Sequence, residues 1–203
     1  MTSEPLPAVE PEYLTDVLRR SGALRDGRVC NVVVENSKST VISRIIRLGL
    51  FYDSAASGAP GSLILKTGFP ERAGAQWNSG RQEVAFYMQV ATQMSAPLVP
   101  RCFDAVWDDD TNNWHLLLED LTNSHFTLAS WPMPPALEQS ERIIAVRARF
   151  HAGWWDDPRL GVSIGTWVEP HDPPLRLFTR NSPALPIVSA TACRPSAARS
   201  MSD

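Results

Sequence analysis

The segment Ser62-Leu63-Ile64-Leu65-Lys66 constrains the chain most. It is apolar until its last residue, and it reads as a strand ending on a lysine. Glu83 follows 17 residues later, in the first turn of a helix expected over 80–95. Ser79 and Gln82 form a Ser-x-x-Gln capping box at the start of that helix. Val84, Tyr87, Met88, Ala91 and Met94 recur at helical spacing, and Pro97 lies just past the end. A strand-end lysine and a helix-start glutamate can bridge the two elements and hold the ammonium against the phosphates of a nucleotide. The same pair also fits a surface salt bridge, worth about 0–1 kcal/mol.

The order of the surrounding elements favours the first use. A short helix over 11–21 comes first: Pro11 suits its first turn and Gly22 its stop. Tyr13, Leu14, Val17 and Leu18 make one apolar stripe on it. Strands follow over 29–35 and 41–52, with Asn36-Ser37-Lys38-Ser39 as the turn between them. Beyond the helix, 101–107 and 114–119 read as a hairpin around the polar run Asp108-Asp109-Asp110-Thr111-Asn112. Five strands on short connections predict an antiparallel sheet with one helix inserted after the third strand. The last strand runs into Glu119-Asp120-Leu121, an acidic hinge, and Trp131-Pro132-Met133-Pro134-Pro135 is a stiff linker. A second long helix is expected over 136–155, with Leu137, Ile144, Ala148 and Trp155 as its stripe. The fold class is therefore α+β: a protein-kinase-like small lobe of five strands and an inserted helix, then the start of a helical large lobe. In such a hinge, backbone N–H and C=O groups face the adenine edge.

Five pieces then carry a family resemblance. They are Tyr13-Leu14-Thr15-Asp16-Val17-Leu18, Pro60-Gly61-Ser62-Leu63-Ile64-Leu65-Lys66, Glu83-Val84-Ala85-Phe86-Tyr87, Leu117-Leu118-Glu119-Asp120-Leu121 and Arg149-Phe150-His151-Ala152-Gly153-Trp154-Trp155. In that order, over 11–168, the chain resembles the aminoglycoside phosphotransferase and choline kinase-like superfamily, particularly its ecdysteroid kinase-like branch. The resemblance implies ATP- and Mg²⁺-dependent phosphorylation of a small-molecule hydroxyl by the full-length form. It implies that Lys66 touches the α- and β-phosphates, that Glu83 orients it, and that Glu119, Asp120 and Leu121 form the hinge. The turn carrying Ser37, Lys38 and Ser39 would lie over the phosphates. That turn lacks the glycines of protein kinases, and an ordinary hairpin turn is its other reading.

In this family the transferring groups follow the His-Ala-x-Trp helix as a His-Gly-Asp-x-x-x-x-Asn loop and a further metal-binding Asp. No His-Gly-Asp occurs in the 203 residues. His171-Asp172 lacks the glycine and is followed by two prolines. No catalytic residue and no metal ligand is therefore assigned. Composition also shifts near 169 to a Pro-, Ser- and Ala-rich tail. The expected organisation is a small lobe over 1–121, hinge and linker over 122–135, an incomplete large lobe over 136–168, and a disordered or non-native tail over 169–203. The reading is a truncated or frameshifted kinase, inactive in this form. Its rival is a non-catalytic module that binds nucleotide or a protein.

Charge and composition exclude other classes. The formal net charge is −3 and no Lys/Arg run exceeds two, which argues against a nucleic-acid partner. No apolar run approaches the roughly 20 residues that span a bilayer, so no membrane is expected. The acidic, Pro-rich start lacks the features of a signal peptide. Cys30, Cys102 and Cys193 are odd in number and far apart, and read as reduced thiols of a cytoplasmic protein. The expected partners are a nucleotide, a small-molecule substrate of the full-length form, and a second copy through the uncovered face of the 136–155 helix. Gly161-Val162-Ser163-Ile164-Gly165 matches a nucleophile elbow but lacks the downstream acid and histidine. His115 and His151 have no partner at metal-ligand spacing. His151, Trp154 and Trp155 are expected to pack inside, and 108–110 to be a solvated turn.

Overall fold

A computed structural model describes residues 7–53, 56–69, 79–94, 98–125 and 135–164. The tail from 165 onward, the linker over 126–134, the Ser79 side chain, His171 and Cys193 lie outside these residues.

Five strands form one antiparallel sheet: β1 (Val29–Ser39), β2 (Arg44–Tyr52), β3 (Ser62–Thr67), β4 (Cys102–Trp107) and β5 (Trp114–Glu119). Their spatial order is β1-β2-β3-β5-β4. The helices are α1 (Pro11–Arg20), α2 (Ser79–Ala85), inserted between β3 and β4, and α3 (Leu137–Trp154). The α+β class with a five-stranded antiparallel sheet thus stands as read.

The period-2 alternation of the strands divides their side chains between two faces. On one face, Ile46, Leu48, Leu50, Leu63, Leu65 and Leu117 form a core with Leu14, Val17 and Leu18 of α1. On the other, Ile64, Leu116, Leu118 and Trp114 pack with Val84 of α2 and Tyr87 just beyond it. Local chemistry fixes α1: Pro11 starts it, and Arg19 and Arg20 in its last turn complement the helix dipole. Gly22, at φ +71°, lets the Ala23 N–H reach back to the Leu18 carbonyl at 2.8 Å.

Three expectations are corrected. First, Asn36–Ser39 is not a turn: these residues continue β1, and the hairpin turns over 40–43. Thr40 closes that tip, because its Oγ1 accepts the Ser43 N–H at 3.0 Å and its N–H donates to the Ser43 carbonyl at 2.7 Å. Second, the regular helix expected over 80–95 ends at Ala85. The chain then widens into a π-turn at Phe86–Val90 and tightens into a 3-10 turn at Ala91–Gln93. The change of pitch buries Tyr87 and leaves Met88 exposed.

No residue of α3 is buried, in keeping with the uncovered face expected for it. Leu137, Ile144 and Trp155 of its expected stripe are 76%, 66% and 77% exposed, because no described element stands against them. Its inward contact is the Phe150 ring, 6.3 Å from Phe86. Third, His151 and Trp155 are therefore solvent-facing rather than packed, and Trp154 is half-buried under the Arg159 guanidinium. Residues 157–164 are turns after a helix, with no strand leading into Ser163, so an elbow has no framework there.

Candidate functional site

Lys66 is placed by the sheet. It lies opposite Ile45 on β2 and Leu116 on β5, and it shares a face with Ile64, toward α2. Glu83 is placed by α2. The start of that helix sits so close to β5 that a Cβ on Gly80 would collide with the Trp114 indole. The two side chains meet: Lys66 Nζ donates to Glu83 Oε1 at 2.6 Å and to Oε2 at 2.7 Å. Their side chains are 23% and 29% exposed, so the pair faces solvent on one side. An ammonium has three N–H donors, and two are held by Glu83, which leaves one for an anion.

The hinge residues occupy the end of β5. The Glu119 N–H donates to the Arg101 carbonyl at 2.8 Å, and its carboxylate accepts the Arg101 N–H at 3.2 Å. The Leu121 carbonyl accepts the N–H groups of Ser124 and His125 at 3.1 and 2.9 Å, while the Leu121 N–H has no partner among the described residues.

Asp120 does something the sequence reading missed. Its side chain is only 3% exposed. Oδ2 accepts from Arg47 Nε and from Ser62 Oγ, both at 2.6 Å, and Oδ1 accepts the Thr122 N–H at 2.9 Å. Arg47 also pairs with Glu35. Burial pushes the Asp120 carboxyl up, but the hydrogen bonds from Ser62, Thr122 and Arg47 outweigh it and hold it well below the usual carboxylate range. Asp120 thus bolts the hinge to β2 and β3. Asp-x-Thr is a recognisable turn signal, but the long-range partners leave no local trace in the sequence.

Ser37, Lys38 and Ser39, expected in a turn over the phosphates, lie in β1 opposite Ile46, Ile45 and Arg44. The turn itself is therefore not what could cover a ligand at these positions.

His115 belongs to a separate polar cluster between α1, β4 and β5. Asp104 Oδ2 accepts from Tyr13 Oη at 2.5 Å and lies 3.1 Å from His115 Nε2. Arg20 stands 3.7 Å from the other carboxylate oxygen. Burial pushes the Asp104 carboxyl up, but His115 and Tyr13 more than offset it, and the group stays lowered. The cluster ties α1 to the far edge of the sheet. Asp108 closes its own turn, accepting from the Asp110 N–H at 2.9 Å and Thr111 Oγ1 at 2.7 Å. Among the described residues no three His, Cys, Asp or Glu side chains converge as a metal site, and no helix is long and apolar enough to cross a membrane. Burial pushes the Cys102 thiol up to about 12.

No family model, curated protein or solved structure matches the chain.

Proposed function

We propose that the face carrying Lys66 and Glu83 binds a nucleotide, and that the chain supplies the nucleotide-binding small lobe of an ATP-dependent small-molecule kinase. Its type is that of the aminoglycoside phosphotransferases and choline kinases, which act on a substrate hydroxyl. The observation that carries this reading is the two-point grip of Glu83 on Lys66, in the element order of such a lobe. The grip aims the ammonium and leaves a donor for a phosphate oxygen. Among the described residues nothing accepts from the Leu121 N–H, a hinge donor that an adenine edge could use. The residues that would hold Mg²⁺ and position an acceptor hydroxyl are not assigned, since the 203 residues contain no His-Gly-Asp loop. The reading therefore gives these residues binding, not phosphoryl transfer.

The test is a thermal shift with ATP, with and without magnesium, on the wild type and Lys66→Ala. A ligand that binds only the folded chain raises the melting temperature with concentration. The expected result is a rise in the wild type that Lys66→Ala loses. No rise, or an equal rise in both, overturns the reading. The exposed stripe of α3 favours a second reading, a protein-interaction module. A discrete dimer by size exclusion, without ATP binding, would support it.

A further inference from the structure

The strand register aligns Lys38, Ile45, Lys66 and Leu116 in one cross-strand row: Lys38 opposite Ile45, Ile45 opposite Lys66, and Lys66 opposite Leu116. Directly opposed residues of antiparallel strands point to the same face. Lys38 and Lys66 therefore rise from one surface, two strands or about 10 Å apart. Lys66 is paired by Glu83, and Arg47 on the same face is paired by Glu35 and Asp120. The Lys38 side chain has no hydrogen-bond or ion-pair partner among the described residues. It is the cation of this row whose charge is uncompensated.

The hairpin tip beside it cannot do the work of a glycine-rich phosphate loop, which offers backbone N–H groups to the ligand. Here the N–H groups of Thr40, Ile42 and Ser43 are turned inward, to the Ser43 carbonyl and to Thr40 Oγ1. Neutralising a phosphate at this end of the site falls to a side chain.

We infer that Lys38 and Lys66 form a two-lysine clamp that selects a polyphosphate, with one phosphoryl group near Lys66 and the next near Lys38. This rests on the nucleotide reading of the Lys66 face and adds to it a charge-reading element on β1. A nucleoside has nothing for Lys38 to hold, and a monophosphate reaches one cation more easily than both. The clamp would therefore rank triphosphate and diphosphate above monophosphate and nucleoside.

The experiment is isothermal titration of wild type, Lys38→Ala, Lys38→Arg and Lys66→Ala with ATP, adenosine and inorganic tripolyphosphate. Lys38→Ala should weaken ATP and tripolyphosphate by about fivefold, the upper range of an exposed charge pair, and leave adenosine unchanged. Lys38→Arg should restore most of the loss. If ATP binding depends on Lys66 but not on Lys38, the clamp is overturned and the nucleotide reading stands. If tripolyphosphate binding depends on both lysines while adenine adds nothing, the clamp stands and the nucleotide reading falls. If the wild type binds none of the three, both fall. Lys38 is exposed and makes no contact that folding needs, so Lys38→Ala tests binding rather than folding.

Discussion

The Trp114 indole fills a slot between Gly68 and Gly80. A Cβ at Gly68 would lie 2.5 Å from its Nε1, and one at Gly80 would overlap the ring. Gly68 follows Lys66 by two residues and Gly80 precedes Glu83 by three. One buried ring therefore fixes how closely the end of β3 and the start of α2 approach, and so fixes the Lys66–Glu83 bridge.

Gly80→Ala should accordingly destabilise the protein, although alanine is the better helix former. The helix gain is at most about 1 kcal/mol. Forcing a methyl into a filled core costs about 1–3 kcal/mol. The net loss should be near 1 kcal/mol by urea unfolding, with weaker ATP binding as Glu83 moves. In a Trp114→Leu background the slot is open, and Gly80→Ala should there be neutral or stabilising. An additive double mutant would mean that ring and glycine do not touch.

Asp120→Asn should cost about 2 kcal/mol at neutral pH, because a buried carboxylate with four donor groups on three residues loses its charge-assisted bonds. The pH dependence has a definite sign. The folded carboxyl is lowered, so its contribution is complete above the ordinary carboxylate value of about 4 and fades as pH falls below it. Asp104 and Asp157 are lowered too, so wild-type stability alone mixes several groups. The difference between wild type and Asp120→Asn isolates this one. Urea midpoints should show that gap shrinking below about pH 4 and flat above it.

The chain's three tyrosines all resist ionisation. Burial pushes Tyr52 and Tyr87 up to about 12, and burial together with Asp104 raises Tyr13. The unfolded value is about 10, so stability is complete below that pH and falls as pH rises toward 12. Ultraviolet titration should show no phenolate near pH 10 in the folded protein. Phenolate should instead appear together with unfolding. A tyrosine titrating near 10 while the protein stays folded would contradict the packing of that ring.

How much of this was legible depends on the range of the cause. Strands 62–67 and 114–119 are short apolar runs bounded by breakers, and both α1 and its glycine stop follow from local chemistry. Lys66 and Glu83 were legible because a lone charge ending an apolar strand stands out. The β1–β2 tip was not. Asn36 and Ser37 look like turn residues, yet pairing with Arg47 and Ile46 keeps them extended, and the bend falls on 40–43 with Val41 83% exposed. Tertiary pairing overrode local preference. The Asp120 bolt was invisible because Arg47 and Ser62 are distant in sequence. The α3 stripe was legible too, but an apolar stripe records a need for a partner, not its presence.

That last point yields the sharpest contrast in stability. Leu65 and Ile144 are both branched aliphatic residues in regular elements, but Leu65 is fully buried and Ile144 is 66% exposed. Leu65→Ala should cost about 2–5 kcal/mol, the loss of transfer energy plus a cavity. Ile144→Ser should change stability by no more than about 0.5 kcal/mol. Its effect should appear in solution behaviour instead: the stripe of Leu137, Ile144 and Trp155 is the kind of exposed apolar surface that drives association. Size exclusion across a concentration series should show Ile144→Ser shifting the protein toward monomer. A loss of stability above about 1 kcal/mol in Ile144→Ser would instead place this side chain in a packed interface within the fold.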